Sequence, residues 1–74
     1  MKISIELHGV FRLGRFKAEV KTLPIESRVQ VVIEHLDLSP DLLGIVLING
    51  KHAGVDDVLQ NGDTLSLLPI LDGG

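Results

Sequence analysis

Polar and apolar residues alternate from Lys2 to Leu7, with Ile3, Ile5 and Leu7 on one side and Lys2, Ser4 and Glu6 on the other. A period of two sends successive side chains to opposite faces, so this stretch predicts a half-buried β-strand. Phe16 to Lys21 alternates in the same way and predicts a second strand. The two are expected to pair as a hairpin across a turn region, His8 to Arg15, that holds Gly9 and Gly14. Leu23-Pro24 ends the second strand, because proline has no N–H to give to a ladder. The period then changes. Val29, Val32, Ile33 and Leu36 stand at the i, i+3, i+4, i+7 spacing of one helical face. Ser27, followed three positions later by Gln30, has the form of a capping box. A helix is therefore predicted from Arg28 to Leu36, with Glu26, Arg28, Glu34 and His35 toward solvent. It must have ended by Ser39-Pro40, since the residue before a proline avoids the α region.

The second half of the chain returns to strands. Ile45 to Ile48 is apolar on both faces, and Asn49-Gly50 after it is a strong hairpin signal. Lys51-His52-Ala53 is the expected return strand, brief and near an edge. Asp56 to Leu59 predicts a single helical turn, and Asn61-Gly62-Asp63 a second tight turn. Thr64 to Leu68 forms the last strand, which Pro69 ends. The order is β-β-α-β-β-β in one domain spanning 1–69, with 70–74 as a flexible tail and no repeat, linker or low-complexity segment. Leu65 and Leu67 are expected in the core beneath the helix. Leu68, with Val46 and Ile48 from the apolar run, is then expected on the opposite face of the sheet as an uncovered patch for a partner. Scattered surface leucines are the plainer alternative.

Composition narrows the picture. Seventy-four residues, 45% of them hydrophobic, give one modest core, aliphatic because Phe11 and Phe16 are its only aromatics. Without cysteine there is no disulfide, thiolate nucleophile or cysteine-held metal. Residues 1–28 carry a net charge of +3 and residues 29–74 a net charge of −6. An acidic C-terminal half argues against nucleic acid and permits steering toward a basic protein surface. The N-terminus lacks the apolar core of a signal peptide, and the longest apolar run is far too short to span a bilayer, so no membrane partner and a cytoplasmic location are expected. His8, His35 and His52 have no metal-ligand spacing, and adjacent Glu34 and His35 diverge on a helix. The glycines form no phosphate loop. No catalytic site and no metal or other bound cofactor are expected within this chain.

The last residues carry the chemistry. Gly73-Gly74 can lie extended in a channel that any side chain would block, and Gly74 bears the main-chain carboxylate. A carboxylate is a poor electrophile until ATP converts it to a mixed anhydride, so such an end suits a substrate of an adenylating enzyme. A frayed terminus is the simpler alternative.

Taken together, the order of elements, Asn49-Gly50, Asn61-Gly62-Asp63, Leu67-Leu68-Pro69 and Gly73-Gly74 resemble the MoaD/ThiS family of sulfur carriers. The resemblance spans the whole chain and is strongest from Ile45 onward. It implies an α+β, ubiquitin-like β-grasp fold, with a mixed sheet of four to five strands and one main helix packed on one face. It also implies adenylation of Gly74 by a ubiquitin-activating-type enzyme that uses ATP. Displacement of AMP by a persulfide sulfur donor would leave a terminal thiocarboxylate. Gly73, Asp72, Leu71 and Ile70 would be the residues recognised in the tail. The sulfur acceptor implied is a pterin, in molybdopterin biosynthesis with a larger synthase-like subunit, or the thiazole precursor of thiamin. Leu67-Leu68-Pro69 leans toward the first. Asp72 departs from the small residue that often precedes Gly-Gly in MoaD-like carriers, and this bears on which enzyme accepts the tail. A protein modifier conjugated through Gly74 and a plain β-grasp interaction module remain the other readings.

Overall fold

The computed structural model describes residues 1–70; Leu71, Asp72, Gly73 and Gly74 lie outside the described residues. Five strands form one mixed sheet: β1 (Lys2–Leu7), β2 (Ala18–Thr22), β3 (Leu43–Ile48), β4 (Lys51–Ala53) and β5 (Thr64–Pro69), in the order β2-β1-β5-β3-β4. β1 and β5 run parallel, and every other pair is antiparallel. Among the described residues one α-helix, α1 (Val29–His35), packs on the sheet, and Phe11, Leu23, Leu38 and Leu59 from the connecting segments complete the core beside it. This is the β-grasp architecture. Ile3, Ile5, Leu7, Leu65 and Leu67 are essentially inaccessible and pack with Val29, Val32 and Ile33 of α1. The predicted core positions of β1, β5 and the helix are thus where the periodicity puts them. Among the described residues no helix is long and apolar enough to cross a membrane.

The helix is capped differently from the expectation. Arg28 is the N-cap and makes no side-chain capping bond. Ser27 is buried and donates its hydroxyl backward to the Pro24 carbonyl at 2.6 Å. The N–H groups that a capping box would satisfy are taken by the loop after β4: Val29 N donates to Asp57 O and Gln30 N to Val55 O, both at 3.0 Å. That loop contains no helical turn over Asp56 to Leu59. Asp57 accepts from Gly54 N at 2.7 Å to close a tight turn, and Val58 bridges to Arg28. Backbone from a distant segment has displaced local side-chain capping, because the same pairing seats Leu59 in the core.

At its other end α1 stops in a Schellman arrangement. Asp37 takes a left-handed φ of 53°, Leu38 N donates to Ile33 O at 3.0 Å, and Asp37 N donates to Glu34 O at 3.1 Å. The turn folds Leu38 back into the core. Arg15, from the loop between β1 and β2, adds a second cap by donating Nε to Leu36 O at 2.9 Å and Nη2 to Asp37 O at 3.0 Å.

Candidate functional site

β5 is the central strand that delivers the chain to its C-terminal segment, and the surroundings of its last residues define the candidate site. Leu67 O accepts from His8 N at 3.2 Å on the β1 side, and Ile70 N donates to Leu42 O at 2.6 Å on the β3 side. Ile70 is therefore held through its backbone while its side chain is 54% exposed. The elements flanking the end of β5 carry other exposed apolar side chains: Leu42 and Ile45 on the β3 side, and Val10 in the 3-10 turn Gly9–Arg12 that packs against β5. The predicted tail residues Leu71, Asp72, Gly73 and Gly74 lie outside the described residues.

The partner surface needs a correction. Directly opposed residues of an antiparallel pair share a face, and Val46 is opposite Leu67 while Ile48 is opposite Leu65. Val46 is accordingly buried in the core, and Ile48 packs against it. Ile45 and Leu47 instead share the outer face with Leu68. The apolar run cannot reveal which alternate residues point outward, because both sets are apolar; only the register with β5 decides. Near the middle of that face lie Ser4, Glu6, Thr64 and Ser66, with Ser66 Oγ donating to Glu6 Oε1 at 3.0 Å. The apolar part contributed by β3 and β5 is confined to Ile45, Leu47 and Leu68, beside the exit of the chain.

β2 adds an apolar margin that alternation alone does not assign. Ala18 and Val20 pair with Glu6 and Ser4 on the outer face, leaving Val20 60% exposed. Glu19 and Lys21 lie on the helix side of this outermost strand, where Lys21 Nζ pairs with Glu19 at 3.4 Å and sits over the Phe16 ring. A cleft of about 250 Å³ opens there, lined by Ile5, Lys21, Leu23, Val32, His35 and Leu36 among others. It shares no residue with the exit of the chain. His8 follows β1, His35 ends α1 and His52 lies in β4, and among the described residues no group of three or more His, Cys, Asp or Glu is placed to hold a metal ion.

Fold and exit together define a ubiquitin-like β-grasp protein whose C-terminal segment leaves from the centre of the sheet. The model of the ThiS family matches residues 13–74, and the chain belongs to that family. Similar solved structures agree in fold. A Pyrococcus furiosus protein described as a molybdopterin converting factor, subunit 1, superposes with a TM-score of 0.77 at 22% identity, covering 96% of this chain and 99% of that one. Small archaeal modifier protein 1 of Haloferax volcanii gives 0.75 at 17% identity, over 95% of this chain and 98% of that one. A protein in the complex of subunits 1 and 2 of the molybdopterin-converting factor from Helicobacter pylori gives 0.66 at 16%, covering both chains fully at 100%. No curated protein sequence matches the chain.

Proposed function

We propose that this protein is a sulfur carrier, a non-catalytic cosubstrate whose Gly74 carboxylate is activated and converted to a thiocarboxylate. The observation that carries the reading is the family match running through Gly73-Gly74, on a domain whose buried apolar residues, among those described, end at Leu67. In the proposed sequence the Gly74 carboxylate attacks the α-phosphorus of ATP within an adenylating enzyme, and pyrophosphate leaves. The terminal sulfur of a donor persulfide then attacks the acyl carbon and AMP leaves. A donor thiol reduces the resulting acyl disulfide, forming a donor disulfide and freeing the thiocarboxylate. With no cysteine in the chain, the transferable sulfur has only the terminal carboxyl to occupy.

Exposed Ile45, with half-buried Leu47 and Leu68, offers an apolar surface beside the exit, suited to docking an activating enzyme or a larger subunit. Ordering a tail residue on docking costs roughly 1–2 kcal/mol of backbone entropy. Holding Ile70 in advance through Leu42 O reduces the number of residues that must be ordered.

Molybdopterin biosynthesis is the preferred pathway. Leu67-Leu68-Pro69 supports it, as does the likeness to two structures described as molybdopterin converting factor subunits, one solved with its second subunit. Conjugation to protein lysines through Gly74 is the second reading, favoured by the likeness to a small archaeal modifier protein.

The deciding experiment is intact mass spectrometry after incubation with a family-type activating enzyme, ATP and a persulfide donor. A gain matching one oxygen replaced by sulfur, absent when Gly74 is deleted, supports the carrier. Lysine conjugates in cells, lost with the same deletion and unaccompanied by thiocarboxylate, support the modifier.

A further inference from the structure

β5 lies between β1 and β3, and a glycine from each side closes on its last residues. On the β1 side Gly9 has a left-handed φ of +55°, and a Cβ there would stand 3.0 Å from Pro69 Cγ. On the β3 side the register slips: Leu43 opposes Pro69 and Ile45 opposes Leu68, so Gly44 is the extra residue of a β-bulge. Gly44 is not among the residues with positive φ, so its backbone conformation suits any residue. Its space does not. A Cβ there would stand 2.9 Å from Ile70 N and 3.0 Å from both Ile70 Cα and Pro69 C. All three are backbone atoms and cannot swing aside as a side chain could. Next to the bulge, Ile70 N donates to the Leu42 carbonyl at 2.6 Å.

We propose that Gly44 is a positioning residue for the chemistry at Gly74. The bulge it permits, and the hydrogen bond from Ile70 to Leu42, set the direction in which the chain leaves the domain. This inference rests on the adenylation reading above. Four residues follow Ile70. A change in the direction of the chain at Ile70 displaces the start of that segment relative to the docked domain, and with it the path the carboxylate must take to the reacting centre. Misplacement of a reacting atom by about 1 Å can cost on the order of 100-fold in rate. The outer face that docks the domain is unchanged by such a change of direction, so the loss falls on kcat more than on KM.

The test uses the full chain. Gly44→Ala is compared with Gly54→Ala, a control in which a Cβ would meet only Asp57 Oδ2 at an ordinary 3.9 Å. Ile70→Pro, which removes the N–H donor, is compared with Ile70→Ala, which removes only the side chain. Two quantities are read: hydrogen exchange at the residue 70 amide, where one remains, and the kinetics of pyrophosphate release by the activating enzyme. In the wild type the Ile70 amide should be protected. Gly44→Ala should keep the native spectrum, lose that protection, and lower kcat about 10- to 100-fold with KM little changed. Gly54→Ala should match the wild type, and Ile70→Pro should lose at least tenfold more than Ile70→Ala. Should Gly44→Ala fail to fold, the two Ile70 variants decide the question. An unprotected wild-type Ile70 amide overturns the proposal, as does Ile70→Pro reacting like Ile70→Ala. A wild-type chain that no such enzyme activates defeats the carrier reading itself, and this proposal with it.

Discussion

Asn49 donates its side-chain amide to Asp63 Oδ1 at 2.9 Å, joining two turns that lie 14 residues apart. Each partner also holds its neighbours. Asn49 Oδ1 accepts from Thr64 N at 2.9 Å, and Asp63 Oδ2 accepts from Gln60 N at 2.8 Å. Asn49 itself sits at a left-handed φ of 53°, which asparagine tolerates far better than most residues. The two sequence signals Asn49-Gly50 and Asn61-Gly62-Asp63 are thus one structural unit, pinning the β3–β4 hairpin to the start of β5.

Substitutions at Asn49 should separate backbone from hydrogen bonding. Asn49→Gly keeps the left-handed turn and loses the bonds, costing about 1 kcal/mol. Asn49→Ala should cost about 1 kcal/mol more, because Cβ is crowded in that conformation. Urea denaturation of both variants, and of each with Asp63→Ala, checks the ranking and the coupling. Equal losses in the Gly and Ala variants would show that the turn conformation is not what asparagine provides.

Arg15 should matter more than its exposure suggests. Its guanidinium reaches two carbonyls at the end of α1 at once, a fork that a lysine cannot reproduce. Arg15→Ala is expected to cost about 1 kcal/mol, a modest value because the bonds face solvent. Arg15→Lys should recover little of it. The loss should appear as faster amide exchange in the last turn of α1, and a lysine variant as stable as wild type would contradict the fork.

Neighbouring residues of β3 should divide sharply. Val46→Ala removes buried volume and is expected to cost about 1–3 kcal/mol, a large fraction of the stability of so small a domain. Ile45→Ser, on the outer face, should leave stability within about 0.5 kcal/mol and raise KM in the activation assay. Thermal melts and activation kinetics on the same two proteins check this. The reverse pattern would put the docking surface on the other set of residues.

The end of the chain should be separable from the fold. Every buried apolar residue among the described residues lies between Ile3 and Leu67. Gly74→Ala should therefore leave the melting curve unchanged while sharply lowering adenylation. A marked fall in Tm would mean that the C-terminal segment packs on the domain.

The chain's own pattern determined much of this protein. Period-two alternation identified β1, and the i, i+3, i+4, i+7 spacing identified α1 with Val29, Val32 and Ile33 inward. Turn residues located both hairpins, and Gly73-Gly74 identified the candidate chemistry. These are local properties, carried by residues close together in sequence. Tertiary structure decided what depends on a partner strand or a distant loop. It turned Val46 inward and Ile45 outward, because an apolar run offers no preference until β5 sets its register. It gave the start of α1 to the carbonyls of Val55 and Asp57 instead of Ser27, because seating Leu59 brings that loop alongside. It also gave Gly44 its importance. Nothing in the local sequence marks that glycine, because its requirement comes from the backbone of Pro69 and Ile70, which only folding brings against it.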